Sequence, residues 1–94
     1  MKVEVRMLGM LKKISGRDRV SLDLDEGLRL REVIERILEE INSLKDVLLD
    51  PELRDPRPNI IVLVNGKDIS VLDGLDTQIK DGDEIVFIPI IHGG

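Results

Sequence analysis

Apolar and polar residues alternate in two stretches near the start of the chain, residues 2–8 and 20–24. Such alternation is typical of strands with one buried face, and two of them in succession predict an N-terminal β-hairpin. The segment between them predicts a short helical turn that packs Leu11 and Ile14 against the sheet. Under this register the inward-pointing residues are Val3, Val5, Met7, Val20, Leu22 and Leu24.

The next stretch has apolar residues at spacings of three and four, which indicates an amphipathic helix. The apolar series is Leu30, Val33, Ile34, Ile37, Leu38, Ile41 and Leu44. The opposite face is charged and predicts a solvent-exposed surface on which Glu32 and Arg36 form an ion pair. Arg29 stands where a capping Ser, Thr or Asp would be preferred, so packing of the apolar stripe must stabilise this helix.

The second half of the chain contains two apolar runs, Ile60–Val64 and residues 84–88, which favour buried strands. The turn signal Asn65-Gly66 follows the first run, and the carboxylates of residues 81–84 are interpreted as a solvated turn rather than a cation site. Three prolines in residues 46–58 predict an irregular connection, interpreted as a surface loop rather than a functional lid, although its leucines could add a helical turn.

A single helix covers only one face of a sheet of four or five strands. The first two strands have polar residues for the other face, but the two apolar strands do not. Five apolar side chains are therefore expected to lie exposed together, as at partner-binding sites, unless the short segments or the proline-rich loop fold over them. This predicted outer patch consists of Leu8, Ile61, Leu63, Val86 and Ile88.

Composition excludes several classes of function. The 94 residues, 41% of them hydrophobic, suit one domain with one core. A net charge of −5 and a single aromatic residue argue against direct binding of nucleic acid. The sequence has no cysteine, and His92 is its only histidine, so neither a catalytic relay nor a metal site is expected. The chain has no apolar run long enough for a membrane span and no signal-peptide pattern, so a cytoplasmic location is expected.

The sequence closes with Gly93-Gly94, which follow the last apolar strand after Pro89. Together with the Val-Asn-Gly turn at residues 64–66 and the Asp-Gly-Asp-Glu turn at 81–84, this ending resembles the sulfur carriers of the ubiquitin-like β-grasp superfamily. These are the molybdopterin synthase small subunit MoaD, the thiamine carrier ThiS and the ubiquitin-related modifier. The closing Ile-His-Gly-Gly and the long insertion before Ile60 are most similar to the ubiquitin-related modifier and to archaeal MoaD-like small modifiers.

The resemblance implies an α+β fold, with a mixed sheet of four to five strands and one main amphipathic helix on one face. Residues 1–88 would form this β-grasp domain, and residues 89–94 a flexible tail. Proline at position 89 is expected to stop the pairing of the last strand because it has no N–H to donate.

The resemblance also implies a chemistry for the tail. A ubiquitin-activating-type enzyme would use ATP and magnesium to adenylate the carboxylate of Gly94, and a sulfurtransferase persulfide would then displace AMP to leave a thiocarboxylate. The sulfur would pass to the large subunit of molybdopterin synthase or to a tRNA thiolation enzyme, or the activated end would join a lysine of another protein. Gly93 would let the backbone come close to the activating site, and Ile90, Ile91 and His92 would span the distance to that site.

In this interpretation the chain is a carrier rather than an enzyme and binds no cofactor or metal itself. Two alternatives stay open at this stage. One is an interaction module that binds through the outer patch and has an idle tail. The other is a permanent small subunit of molybdopterin synthase, with its tail inserted into the large subunit.

Overall fold

The computed structural model describes residues 1–50 and 52–90. In that part of the chain, the helices and strands follow in this order: β1 (Lys2–Met7), α1 (Gly9–Ser15), β2 (Arg19–Asp23), α2 (Leu30–Glu40), α3 (Lys45–Leu48), β3 (Ile60–Val64), β4 (Lys67–Asp68) and β5 (Glu84–Pro89). Three 3₁₀ turns, Asn42–Leu44, Ile69–Val71 and Gly74–Asp76, connect them.

The strands form one mixed sheet in the order β2-β1-β5-β3-β4. The first and last strands, β1 and β5, pair in parallel, whereas the other pairs are antiparallel. Helix α2 buries its predicted apolar stripe, with Leu30, Val33 and Ile37 at 0–1% exposure. The predicted architecture, a mixed sheet with one main amphipathic helix on one face, is therefore confirmed, with five strands.

The core lies between α2 and the inner face of the sheet. Phe87 of β5 is fully buried at its centre, as are Val5 and Met7 of the neighbouring β1. The alternation predicted for β1 and β2 is confirmed, except that Leu24 lies just beyond the end of β2 and is only half-buried. Among residues 1–50 and 52–90, no helix is long and apolar enough to cross a membrane.

Two turns have the geometry that their sequence predicts. Asn65 and Gly66 both have positive φ, 51° and 82°, as a tight two-residue hairpin turn between β3 and β4 requires. The carboxylates of the turn before β5 accept backbone N–H groups: Asp81 Oδ1 from Lys2 at 2.6 Å, and Asp83 Oδ2 from Lys80 at 2.8 Å. The sequence predicts solvated carboxylates here, and in the structure two of them also shape the turn.

The start of α2 differs from the prediction. Glu32 accepts a hydrogen bond from the backbone N–H of Arg29 at 3.0 Å, which satisfies one of the unpaired groups at this helix end. Because Glu32 has this capping role, the predicted pair between Glu32 and Arg36 is wrong. Arg36 pairs with Glu39 instead, at 3.3 Å.

The insertion before β3 packs beside α2. Helix α3 ends at Leu48, so the further helical turn that the leucines could have added stops there, and Leu53 is 66% exposed. Leu49 and Pro56 of the insertion line a cleft of about 100 Å³ together with Ile34 of α2. A hydrogen bond from the Arg57 side chain holds the pKa of the Asp55 carboxyl below its ordinary value. The insertion is thus a packed surface loop on the helix side of the sheet.

Helix α1 buries Leu11 fully but leaves Ile14 39% exposed. The prediction that both residues pack against the sheet is therefore wrong for Ile14. Residues three apart on an α-helix differ by about 60° in direction, and α1 has only seven residues. Such a short helix makes contact along one narrow line, so a residue on its flank stays in solvent.

This difference predicts unequal effects of alanine at the two positions. Leu11→Ala should lower the free energy of unfolding by about 2–5 kcal/mol, because it leaves a cavity in a fully buried site. Ile14→Ala should change it by about 0.5 kcal/mol or less, because the side chain is largely in solvent. Urea denaturation followed by circular dichroism measures both values, and equal losses would contradict the burial described for α1.

Candidate functional site

The last strand, β5, ends where the predicted tail begins. Strand β5 lies between β1 and β3, with Met7 opposite Phe87 on one side and Ile60 opposite Pro89 on the other. The N–H of Ile90 donates to the carbonyl of Asn59 at 2.9 Å. Pairing therefore continues through Pro89, the last residue of β5, and one further hydrogen bond holds Ile90, so the prediction that Pro89 stops the pairing is wrong. Strand β5 ends at Pro89, one residue past the predicted boundary between residues 88 and 89.

The direction of the backbone groups explains why a proline is tolerated there. Alternate N–H groups along a strand point to the same side, so the N–H of Ile90 and that of Ile88 face β3. The position of the missing N–H of Pro89 then faces the β1 side. Strand β1 has already ended at Met7, and the chain has entered α1. Pro89 thus leaves no partner in the sheet without its hydrogen bond.

Gly9 lies against this end of β5. Its φ is +55°, and a Cβ atom added to it would lie 3.1 Å from Cγ of Pro89. The neighbouring N–H of Leu8 donates to the carbonyl of Phe87 at 3.1 Å. We call Pro89 and Ile90 the tail root. It is held between the glycine on one side and the carbonyl of Asn59 on the other.

The four residues that follow, Ile91, His92, Gly93 and Gly94, lie outside the described residues, so the roles predicted for them stay predictions. Ile90 is the last described residue, and it is 36% exposed. The structure therefore fixes the position of Ile90, the residue to which the predicted tail is attached.

The register brings the outer patch together on the sheet face opposite α2. Ile88 lies opposite Ile61 of β3, and Val86 lies opposite Leu63. Leu8 follows Met7, the partner of Phe87, and so lies beside Ile88 at the end of the parallel pair. All five predicted residues thus share one face, and Leu8, Ile61 and Ile88 lie at the end nearest the tail root.

Exposure within the patch is less even than predicted. Ile61 is 37% exposed, and Leu8, Leu63 and Ile88 are half-buried, but Val86 is only 7% exposed. The expectation that Val86 points freely into water is therefore wrong. Val86 is on the central strand, and its cross-strand neighbours Arg6 and Leu63 flank it on both sides. A partner would reach the other four side chains first.

Asp68 marks the margin of the outer patch. It lies on β4 opposite Leu63, and it is exposed. The backbone N–H of Ser70 donates to its carboxylate at 2.8 Å and lowers the pKa of Asp68. The patch therefore ends at a carboxylate that stays ionised at neutral pH.

Other candidate chemistry is limited in the described residues. Within residues 1–50 and 52–90, no group of three or more His, Asp and Glu side chains could hold a metal ion. The side chain of Asn65 bridges to the turn before β5: its Nδ2 donates to Asp83 Oδ1 at 2.8 Å, and its Oδ1 accepts from the N–H of Glu84 at 2.9 Å. These groups link the β3–β4 turn to the start of β5.

Sequence reasoning missed Gly9 and Asn59, the two residues that hold the tail root. A signal for Gly9 was available, because a glycine directly after an alternating strand often marks a positive φ or a close approach of two segments. Asn59 gave no signal, since it acts through its backbone carbonyl and any residue there supplies one.

Comparison with known proteins identifies the family of this chain. The family model described as "Urm1 (Ubiquitin related modifier)" matches residues 2–94. The chain belongs to the ubiquitin-related modifier family. The predicted resemblance is confirmed, and the ubiquitin-like β-grasp assignment with it.

Individual relatives cover the chain from end to end. Ubiquitin-related modifier 1 of Candida glabrata is 38% identical over 97 residues, which cover 99% of this chain and 98% of the relative. Small archaeal modifier protein 3 of Haloferax volcanii is 26% identical over 94 residues, with complete coverage of both. The crystal structure of SAMP1 from Haloferax volcanii superposes with a TM-score of 0.88 at 20% identity, again with complete coverage of both chains. The last of these supports the fold alone.

The contact between Gly9 and Pro89 can be tested with a matched pair of variants. Gly9→Ala and Gly16→Ala both place alanine at a positive φ, which costs about 1–2 kcal/mol. At Gly16 no atom lies within 4 Å of the added Cβ. We therefore expect Gly9→Ala to destabilise the protein more than Gly16→Ala, and to be the one that speeds hydrogen exchange of the Ile90 amide. Equal stability and equal Ile90 exchange in the two variants would contradict the described contact.

Proposed function

We propose that this chain is a sulfur carrier whose Gly94 carboxylate is adenylated by a ubiquitin-activating-type enzyme and converted to a thiocarboxylate. The observation that supports this most is the position of the tail root. It lies at the end of the central strand, beside an apolar patch on the open face of the sheet. Family membership supports the same proposal.

The chemistry explains why such a protein needs a separate activating enzyme. A carboxylate is a poor electrophile, so it must gain a good leaving group before sulfur can attack. In the proposed step the Gly94 carboxylate attacks the α-phosphate of ATP and releases pyrophosphate, with magnesium bound by the activating enzyme. A persulfide sulfur from a sulfurtransferase then attacks the acyl carbon and displaces AMP, and reductive cleavage of the sulfur–sulfur bond by a thiol leaves the thiocarboxylate.

This chain's own contribution is to position the tail. Gly93 and Gly94 have no Cβ, so the backbone can enter a narrow site that excludes water. Ile91 and His92 span the distance from the tail root, which ends at Ile90, to that site. The tail root limits the freedom of these residues, which lowers the entropy cost of inserting them. In this proposal the chain is a substrate of the activating enzyme rather than a catalyst.

The outer patch is proposed to contact the same partner. A partner that covers Leu8, Ile61, Leu63 and Ile88 would remove their apolar surface from water and place the tail root at its own edge. The sulfur would then pass to the large subunit of molybdopterin synthase or to a tRNA thiolation enzyme, or the activated end would be joined to a lysine. Each of these acceptors uses the same activated end.

Deleting Gly93 and Gly94 tests the role of the tail. The truncated chain should keep its free energy of unfolding within about 0.5 kcal/mol, because the fold is complete before these residues. It should no longer support ATP–pyrophosphate exchange by the activating enzyme. His92→Ala, which keeps both glycines and the length of the tail, serves as the control and should retain exchange. Exchange by the truncated chain would refute the proposal.

Glutamate in the outer patch tests the partner contact. Leu63→Glu and Ile88→Glu should each weaken binding to the activating enzyme by about tenfold or more, because a charge would be buried without a partner. Val71→Glu is the control, since Val71 is 73% exposed and lies outside the patch. Calorimetric titration measures the affinities, and circular dichroism checks the fold. Folded patch variants with the affinity of the control would exclude the patch as the contact.

The outer patch also favours a second candidate, an interaction module in which the tail takes no part. Intact mass spectrometry of protein from native cells separates the two. Replacement of one terminal oxygen by sulfur supports the carrier, and attachment to lysines of other proteins supports a modifier. An unmodified end under all growth conditions supports the interaction module.

A further inference from the structure

Charge is divided unevenly along this chain. Residues 1–20 contain six lysines and arginines and two acidic residues, a net charge of +4. Residues 21–94 contain eight lysines and arginines and seventeen acidic residues, a net charge of −9. An acidic protein therefore carries one basic segment.

The fold gathers most of that segment at one corner of the molecule. Arg6 and Arg19 lie directly opposite each other on β1 and β2. The N–H of Met7 donates to the carbonyl of Asp18 at 3.0 Å, which keeps the end of β1 beside the residues that follow α1. Helix α1 adds its last-turn lysines. We call this set the basic corner: Arg6, Lys12, Lys13, Arg17 and Arg19.

The basic corner has no internal counter-ion in the described part of the chain. None of its five cations forms an ion pair there within 4.0 Å, whereas Arg31, Arg36 and Arg57 each pair with a carboxylate. Like charges directly opposite each other on paired strands are destabilising, so Arg6 and Arg19 are an unfavourable pair as the fold stands. An external anionic surface would relieve this repulsion.

Exposed apolar side chains accompany these cations. Met10 is 50% exposed and Ile14 is 39% exposed, both on α1. Apolar side chains beside cations suit a folded protein surface better than RNA, which would need aromatic platforms for its bases. The only aromatic residue, Phe87, is fully buried. The strongly acidic remainder of the molecule would also repel an extended polyanion or an anionic membrane.

The basic corner adjoins the surfaces already described. Gly9, at the start of α1, contacts Pro89 of the tail root, and Arg6 lies opposite Val86 of the outer patch. A partner protein that binds the tail and covers the outer patch would therefore contact the basic corner as well. The end of β1 and the start of α1 thus bring parts of all three surfaces next to one another.

We propose that the basic corner docks on an acidic surface of the enzyme that activates the tail, with Met10 and Ile14 of α1 in apolar contact with the same surface. This inference rests on the proposed function and names the chemistry of the partner's surface. Charge complementarity of this kind mainly raises the rate of association and makes it sensitive to salt. It should therefore affect the Michaelis constant for the carrier rather than the turnover number.

Charge reversal at the end of α1 and just beyond it tests the proposal. The double variant Lys13→Glu with Arg17→Glu should raise the KM for the carrier in ATP–pyrophosphate exchange by about tenfold at low salt, with kcat unchanged. The difference should shrink at high salt, because exposed charges are then screened. Lys45→Glu with Lys80→Glu produces the same change in net charge outside the basic corner and should change KM by less than about twofold.

A second variant separates docking from folding. Arg19→Gln removes the repulsion with Arg6, so it should keep or raise the free energy of unfolding while it raises KM. A purely structural role would move stability and KM in the same unfavourable direction. Circular dichroism and urea denaturation of every variant accompany the kinetics.

Several outcomes would overturn the inference. They are an unchanged KM in the Lys13 and Arg17 double variant, an equal rise in the control, or a fall in kcat alone. A further such outcome is that wild type binds a short RNA or phosphatidylserine vesicles more tightly than this variant does, while both bind the enzyme equally well. That result would identify another occupant and exclude the one proposed. If wild type itself supports no exchange, the proposed function fails. If wild type supports exchange but the Lys13 and Arg17 double variant has an unchanged KM, only the docking surface is refuted.

Discussion

The structure depends on the central place of β5 in the sheet. This strand pairs with β1 in parallel and with β3 in antiparallel, and one of its side chains, Phe87, is fully buried at the centre of the core. Its alternate residues face the open side of the sheet, where Val86 and Ile88 belong to the outer patch. The strand that completes the core is thus also the strand that orders the candidate contact surface and ends at the tail root.

The division of the sheet into two faces follows from having one main helix. Helix α2 covers the inner face, and Leu49 and Pro56 of the insertion before β3 pack beside that helix. The outer face is therefore polar at the β2 edge and apolar toward β3. Around the end of β1 this apolar area passes into the basic corner, so a partner would meet apolar, cationic and tail surfaces side by side.

Most of the fold could be predicted from the sequence, because periodicity records which face of an element is buried. The stripe of α2, the alternation of β1 and the turn at Asn65-Gly66 are local patterns of this kind. Ile14 and Val86 were predicted wrongly because exposure depends on what lies beside a residue in space: α1 is short, and β5 has neighbours on both sides. The extent of β5 was missed because a proline is excluded only where its N–H would be needed. The candidate site was predicted in outline. The two groups that fix the tail root, Gly9 and the backbone carbonyl of Asn59, were missed because no pattern of side chains records them.

The parallel pairing of β1 with β5 joins the two ends of the chain, with Glu4 opposite Glu84 and Met7 opposite Phe87. Contacts between residues so far apart in sequence form late and slow the folding of a domain. Until β5 is inserted, β1 and β3 lack their common neighbour and the core lacks Phe87. Completion of the core and placement of the tail root therefore depend on the same strand. A chain cut short before β5, or still unfolded, offers no correctly placed end for another protein to use.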